Sequence, residues 1–147
     1  MVEPELKQRY IEPGKVKLVW HDFTWIGDES RTAAQAARCA GDQGQFWPYH
    51  DYLYAHQRGE NAGQFSPQNL KGFAAAISMP DPAAFNACLD AGQDLPAIRE
   101  DFNQGRARGI VATPYFLIDG QPREGLPSLN QFSALLDAEL ARTGAKN

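Results

Sequence analysis

Gly109-Ile110-Val111-Ala112-Thr113-Pro114-Tyr115-Phe116-Leu117-Ile118-Asp119-Gly120 reads as a helix stop, a tight loop, a short strand and a hairpin turn. Gly109 follows a helix-like segment and suits the left-handed position just past a helix end. Thr113 precedes a proline, which pushes it toward extended backbone. Tyr115 to Ile118 is a short β-prone apolar run, and Asp119-Gly120 after it is a strong two-residue hairpin signal. A proline at the mouth of a strand stands in a marked place. An X-Pro bond reaches the cis form at a cost of about 0.5–1 kcal/mol, so a cis Thr113-Pro114 peptide is cheap, while an ordinary trans proline opening a strand is the commoner arrangement.

Composition sets the outer limits around this stretch. With 147 residues and 43% hydrophobic content, the chain suits one domain with its own core. A formal net charge of −4 and the lack of any basic cluster argue against a nucleic-acid partner. No apolar run approaches the length of a membrane span, so no membrane partner is expected, and Met1-Val2-Glu3-Pro4 has neither the basic nor the apolar part of a signal segment. Repeats, low-complexity tracts and long charged blocks are absent, and no internal domain boundary is expected.

Toward the N-terminus, Pro4 to Tyr10 has the pattern of the last two turns of a helix ending near Pro13-Gly14. Lys15 to Phe23 sets Val16, Leu18 and Trp20 against Lys17, Val19 and His21, the alternation of a strand with one face more buried. Helical signals then dominate. Ser30 is placed to cap a helix over Arg31 to Ala40, where Ala33, Ala36, Ala37 and Ala40 form a small-residue face opposite Arg31, Gln35 and Arg38. Gly41 and Gly44 break it, and Gln45 to His56 resumes with Phe46, Tyr49 and Leu53 at helical spacing, a stripe better suited to a core than to a cofactor.

Ser66-Pro67 and Asp81-Pro82 are each an N-cap followed by proline at the first helical position. The first helix is expected to run to about Ser78, and the second sets Phe85, Cys88 and Leu89 on one face before Gly92. Asp94 is expected to cap a further helix through Ile98 and Phe102 to Arg108. After Gln121 to Glu124 as a short edge strand, Ser128-Leu129-Asn130-Gln131 has the form of a capping box for a last helix with Leu129, Phe132, Leu136 and Leu140 on its apolar face.

Gln43-Gly44-Gln45-Phe46-Trp47 with His50-Asp51, then Phe85-Asn86-Ala87-Cys88-Leu89, then Gly109 to Phe116, resemble in order and spacing the DsbA-like branch of the thioredoxin-fold family, from about Val2 to Leu140. The resemblance implies an α/β fold: one thioredoxin-like domain over residues 1–147 with a helical insertion at about 29–92. It implies that Thr113-Pro114 is a cis-proline loop and that Ala112, Thr113 and Pro114 contact an extended polypeptide substrate. Members of the family open with a strand and carry Cys-X-X-Cys at the start of the first helix, where the helix N-terminus lowers a thiol pKa. No Cys-X-X-Cys occurs here, and Met1 to Leu6 would match the middle of that helix. The expectation is therefore an N-terminally truncated fold lacking the first strand and the start of the first helix, from a natural protein longer than this chain. No catalytic residue is assigned, and the chain is expected to be inactive as it stands.

In that fold the missing strand lies between the strand expected at Val16 to His21 and the one at Tyr115 to Asp119. Leaving both edges bare would cost about 1–3 kcal/mol for each buried backbone group without a partner. A homo-oligomer that completes the sheet is therefore expected. A redox-inert, peptide-binding thioredoxin-fold module is the alternative function, and a glutathione-dependent transferase or isomerase on the same fold is a weaker one.

The two cysteines, Cys39 and Cys88, each fall on an expected helix. A structural disulfide is the first reading, worth on the order of 4 kcal/mol for a loop of roughly 50 residues. Two buried reduced thiols are the second, and a reactive Cys39 served by His50 or His56 the third, disfavoured by its alanine-rich face. A bridge suits an oxidising compartment, and relatives of this family usually work outside the cytoplasm, in the periplasm or cell envelope; the chain itself leaves its location unknown. His21-Asp22 points to opposite faces of the expected strand, so solvation at the strand end is expected rather than acid–base cooperation. His21, His50 and His56 have no convincing metal spacing with the cysteines, so four-ligand zinc is the disfavoured alternative, and neither metal nor other cofactor is expected.

Overall fold

The computed structural model describes residues 3–144. In chain order its elements are α1 (Glu3–Leu6) running into a wide π turn (Lys7–Ile11), α2 (Asp28–Gly41), α3 (Phe46–His56), α4 (Pro67–Ala76), α5 (Pro82–Ala91), α6 (Leu95–Ala107), β1 (Tyr115–Ile118), β2 (Gln121–Glu124) and α7 (Leu129–Thr143). They fall into two compact units: residues 21–109 form one, and the flanking stretches up to residue 20 and from residue 110 form the other.

The helical unit is built on the small-residue face of α2. Ala36, Ala37, Cys39 and Ala40 let that helix approach closely, and Tyr49, Leu53, Leu70, Ala74, Met79, Phe85 and Leu89 fill the space against it. Tyr49 and Phe85 meet with ring centroids 5.4 Å apart. The Tyr49 hydroxyl, carried inside with its ring, donates to the Leu70 carbonyl at 2.8 Å, which gives that buried polar group its partner. Burial holds that phenol well above its ordinary pKa.

Local start signals work as expected at α4 and α5. The Ser66 hydroxyl accepts from the Asn69 amide at 3.4 Å, and the Asp81 carboxylate accepts from the Ala84 amide at 2.9 Å. At α2 they do not. The helix begins at Asp28, and Ser30 lies inside its first turn. Acidic Asp28 and Glu29 favour the positive helix end, and Glu29 also accepts from the backbone amides of Gly63 (2.6 Å) and Phe65 (2.9 Å). Glu29 thereby fastens the 57–66 loop to the start of α2. At α6 the Asp94 side chain makes no capping bond, because its carboxylate is held by Gln35 instead.

In the flanking unit, Phe132 and Leu136 of α7 pack with Tyr10, and Val16, Phe116, Ile118 and Leu140 border the cluster. Ser128 and Gln131 form the full capping box, and α7 continues to Thr143, a turn past the last apolar position at Leu140. The Tyr10 hydroxyl donates to Asp137 at 2.9 Å. The strand expected at Val16 to His21 does not form: among the described residues the sheet has two strands. Val16 and Leu18 are half-buried and Lys17 and Val19 exposed, as the alternation requires, but Trp20, expected on the inner face, is exposed. A strand, however, needs a hydrogen-bonded neighbour, and the Val16 amide donates instead to the Tyr10 carbonyl at 2.9 Å.

Phe85→Ala is expected to destabilise the helical unit by about 3–5 kcal/mol, read as a shift in the guanidinium midpoint, since Phe85 is fully buried beneath α2. A change near the surface value of about 0.5 kcal/mol would mean that this face of α5 is not core.

Candidate functional site

The loop that opens the sheet is set by backbone chemistry at both ends. Gly109 takes a φ of +80° just past α6, and its amide closes onto the Arg106 carbonyl at 3.0 Å. At the far end Asp119 and Gly120 have φ values of 48° and 79°, the two left-handed residues of the hairpin turn whose twist matches the strands. Between them Val111 is 60% exposed, Ala112 is half-buried, and Thr113 and Pro114 are exposed. The Thr113–Pro114 peptide bond is cis.

Strand register decides which backbone groups face outward. Ile118 pairs with Gln121, Leu117 with Pro122, Phe116 with Arg123 and Tyr115 with Glu124. The Pro114 carbonyl accepts from the Gly125 amide at 2.9 Å. In an antiparallel pair, alternate residues exchange hydrogen bonds, so residues 114, 116 and 118 bond to β2. The amides and carbonyls of Tyr115 and Leu117 point to the other edge. Pro122 sits opposite Leu117 at a non-bonded position, where its missing N–H costs the ladder nothing. Phe116 packs edge-on against Phe132 with centroids 4.9 Å apart, while Leu117 on the opposite face is 47% exposed. Among the described residues no strand lies against the outer edge of β1.

The cysteines are brought together in the helical unit. Cys39 and Cys88 form a disulfide closing 49 residues of sequence, with Cα atoms 5.9 Å apart. Cys39 lies in the last turn of α2 and is 1% exposed. The negative end of a helix disfavours a thiolate, so the placement suits a cross-link between α2 and α5 and works against a nucleophile. Gln35, one turn before Cys39, is 2% exposed. Its side-chain amide donates toward the Cys39 sulfur (3.2 Å), the Cys88 carbonyl (3.2 Å) and Asp94 (3.3 Å), and its oxygen accepts from the Asp94 amide at 2.9 Å.

Beside the bridge, Arg38 joins two carboxylates, donating through Nε to Asp22 and through Nη2 to Asp101, each at 2.7 Å. Asp101 also accepts from the Asp22 amide at 3.1 Å and lies 3.4 Å from His21 Nδ1. Burial works against the Arg38 charge, but the hydrogen bond and charge of Asp22, with Asp101 behind it, hold the guanidinium above its ordinary pKa. The solvated strand end expected for Asp22 is therefore replaced by a buried ion pair: Asp22 is 5% exposed, and burying a carboxylate requires such a partner. Sequence patterning placed Gln35 and Arg38 on the polar face of α2 and missed both roles. The signal available was the four-residue spacing from Gln35 to Cys39, which stacks the two side chains on one face.

A proline loop feeding a hairpin, a C-terminal helix packed on that hairpin, and a helical unit inserted in the sequence ahead of the loop belong to a thioredoxin-like fold. The chain belongs to the thioredoxin family, whose model matches residues 1–138. The Na(+)/H(+) antiporter NhaA 1 of Salinispora arenicola is 29% identical across 96% of this chain, which spans only 21% of that protein. "Probable disulfide bond formation protein D" of Bacillus anthracis is 24% identical across 96% of the chain and 65% of its own length. The oxidised crystal structure of BdbD from Bacillus subtilis superposes with a TM-score of 0.84 at 20% identity, covering 95% of this chain and 76% of that one, and so shares its fold. Among the described residues no helix is long and apolar enough to cross a membrane.

Replacing both Cys39 and Cys88 by serine is expected to cost about 2–4 kcal/mol of stability in a chemical melt, with little change in helicity. A second outcome concerns pH. Burial, reinforced by the charge of Asp42, holds the Asp94 carboxyl above its ordinary value of 3.8. The folded state therefore binds this proton more tightly, and the associated stability, present below the unfolded pKa, is lost as pH rises through the folded one. Asp94→Asn is expected to flatten that fall in melts taken between about pH 3.5 and 6, and an unchanged slope would contradict the assignment.

Proposed function

We propose that this chain is the polypeptide-docking part of a DsbA-like thiol-disulfide oxidoreductase acting on cysteines of protein substrates, and that the chain itself turns over no dithiol. The observation that carries this reading is the outer edge of β1, where the Tyr115 and Leu117 amides and carbonyls face outward beside the exposed Thr113 and Pro114. Among the described residues that edge, where the first strand of the family fold would lie, is open, and an extended polypeptide laid along it gains main-chain hydrogen bonds in that strand's place, with Ala112, Thr113 and Pro114 contacting its side chains. In this proposal residues 1–147 act as one DsbA-like domain with the helical insertion at about 29–92. Absence of turnover follows from the cysteines: there are two, they lack the Cys-X-X-Cys spacing, and they are bonded to each other.

A redox-inert binding module is the second reading, supported by the same joined pair of cysteines. Pairing of the β1 edge with a second copy, giving a homo-oligomer, is a competing use of that edge. A mass that rises with concentration in light scattering would reveal it, and a monomer throughout would remove it.

Insulin reduction and dithiol-oxidation assays are expected to give no turnover above the uncatalysed rate, unchanged in the Cys39→Ser, Cys88→Ser double variant. An unfolded, cysteine-blocked polypeptide is expected to bind all the same. Leu117→Pro removes one outward amide while leaving the β1–β2 hydrogen bonds in place, and should weaken that binding severalfold. Turnover that persists without either cysteine would refute the proposal.

A further inference from the structure

We infer that the Cys39–Cys88 pair, once reduced, forms with Asp94 a binding site for a thiophilic divalent cation of the zinc type. One ligand atom from each of the three residues lies within 4.8 Å of the others, and Asp94 Oδ2 is 3.8 Å from Cys88 Sγ. Tetrahedral zinc with Zn–S of about 2.3 Å and Zn–O of about 2.0–2.2 Å sets sulfur and oxygen ligands about 3.6 Å apart. The carboxylate already stands near that separation. With the cysteine Cα atoms 5.9 Å apart, both thiolates reach a shared ion by side-chain rotation while α2 and α5 stay in place. Asp42 Oδ2, 3.9 Å from Cys88 Sγ, is a nearby oxygen donor for the fourth position.

The surroundings are those of a ligand set. Gln35, buried at 2% exposure, grips Asp94 at both its amide and its carboxylate, as the outer hydrogen bonds of metal sites orient a ligating carboxylate. If Gln35 served only to dock the start of α6 on α2, its bond to the Asp94 amide would suffice; the second bond aims the carboxylate at the sulfurs. Reduction leaves two thiols beside Asp94 and Asp42, while the neighbouring guanidinium of Arg38 is taken up by Asp22 and Asp101. A divalent cation supplies the positive charge that two thiolates need there.

The chemistry balances with a small dithiol as reductant. Its two S–H bonds break and its own disulfide forms, the Cys39–Cys88 bond breaks, and each cysteine sulfur gains a proton. Cation binding then releases both protons to solvent as the sulfurs become thiolate ligands. Oxidised, the pair is a covalent cross-link between α2 and α5; reduced, the ion holds the same helices through the same sulfurs.

Cobalt(II) is the probe. The full chain is reduced with dithiothreitol, freed of it under anaerobic conditions and titrated with cobalt. One ion per chain is expected, with a thiolate-to-cobalt charge-transfer band and the intense visible bands of a tetrahedral site, both bleached by zinc. The oxidised chain and Cys88→Ser should show neither band, and Asp94→Asn should bind about tenfold more weakly or worse. A reduced chain without a charge-transfer band, or an Asp94→Asn affinity equal to the parent's, overturns the inference. If the reduced chain loses helicity, zinc should restore its far-ultraviolet circular dichroism in the parent and not in Cys88→Ser, and failure to do so overturns it equally.

Discussion

A strand with a single neighbour satisfies half of its backbone groups and turns the other half away, and β1 is in that position. Its bonds to β2 run through Pro114, Phe116 and Ile118, so the groups of Tyr115 and Leu117 must find water or another strand. A buried group that finds neither costs about 1–3 kcal/mol. The flanking unit fixes where this edge points. Asp119 and Gly120 turn the chain, Phe116 presses one face onto Phe132 of α7, and Pro122 sits where its missing N–H does no harm. What remains outward is a short row of strand groups, beside the proline loop.

The helical unit is organised by different physics. An alanine-rich face on α2 brings Cys39 within bonding reach of Cys88, and the bridge then holds two helices whose packing has already aligned them. Two connected polar groups lie beside the bridge, Gln35 with Asp94 and Arg38 with Asp22 and Asp101. The sulfurs are locked together, and Cys39 sits at the negative end of its helix.

Legibility followed the range of the forces involved. The Ser66, Asp81 and Ser128 caps, the left-handed Gly109 and the Asp119-Gly120 turn depend on a few neighbouring residues, and the sequence carried them openly. Ser30 misled because Glu29 is claimed by amides of a loop more than thirty residues away. Asp94 misled because Gln35 reaches it from another helix. Val16 to Val19 kept the alternation of a strand and Trp20 lost it, and strand formation is in any case decided by a neighbour that alternation cannot supply. Cysteine type and helical spacing favoured a bridge, whereas the ion pairs of Arg38 required knowing that α2 and α6 approach each other.

Amide hydrogen exchange at Tyr115 and Leu117 tests the central claim most directly, compared with and without an unfolded, cysteine-blocked polypeptide. If that edge docks polypeptides, both amides gain protection on adding the peptide, while Phe116 and Ile118, already bonded to β2, change little. Unaltered exchange at Tyr115 and Leu117 under conditions where the peptide binds would place recognition elsewhere and contradict the account.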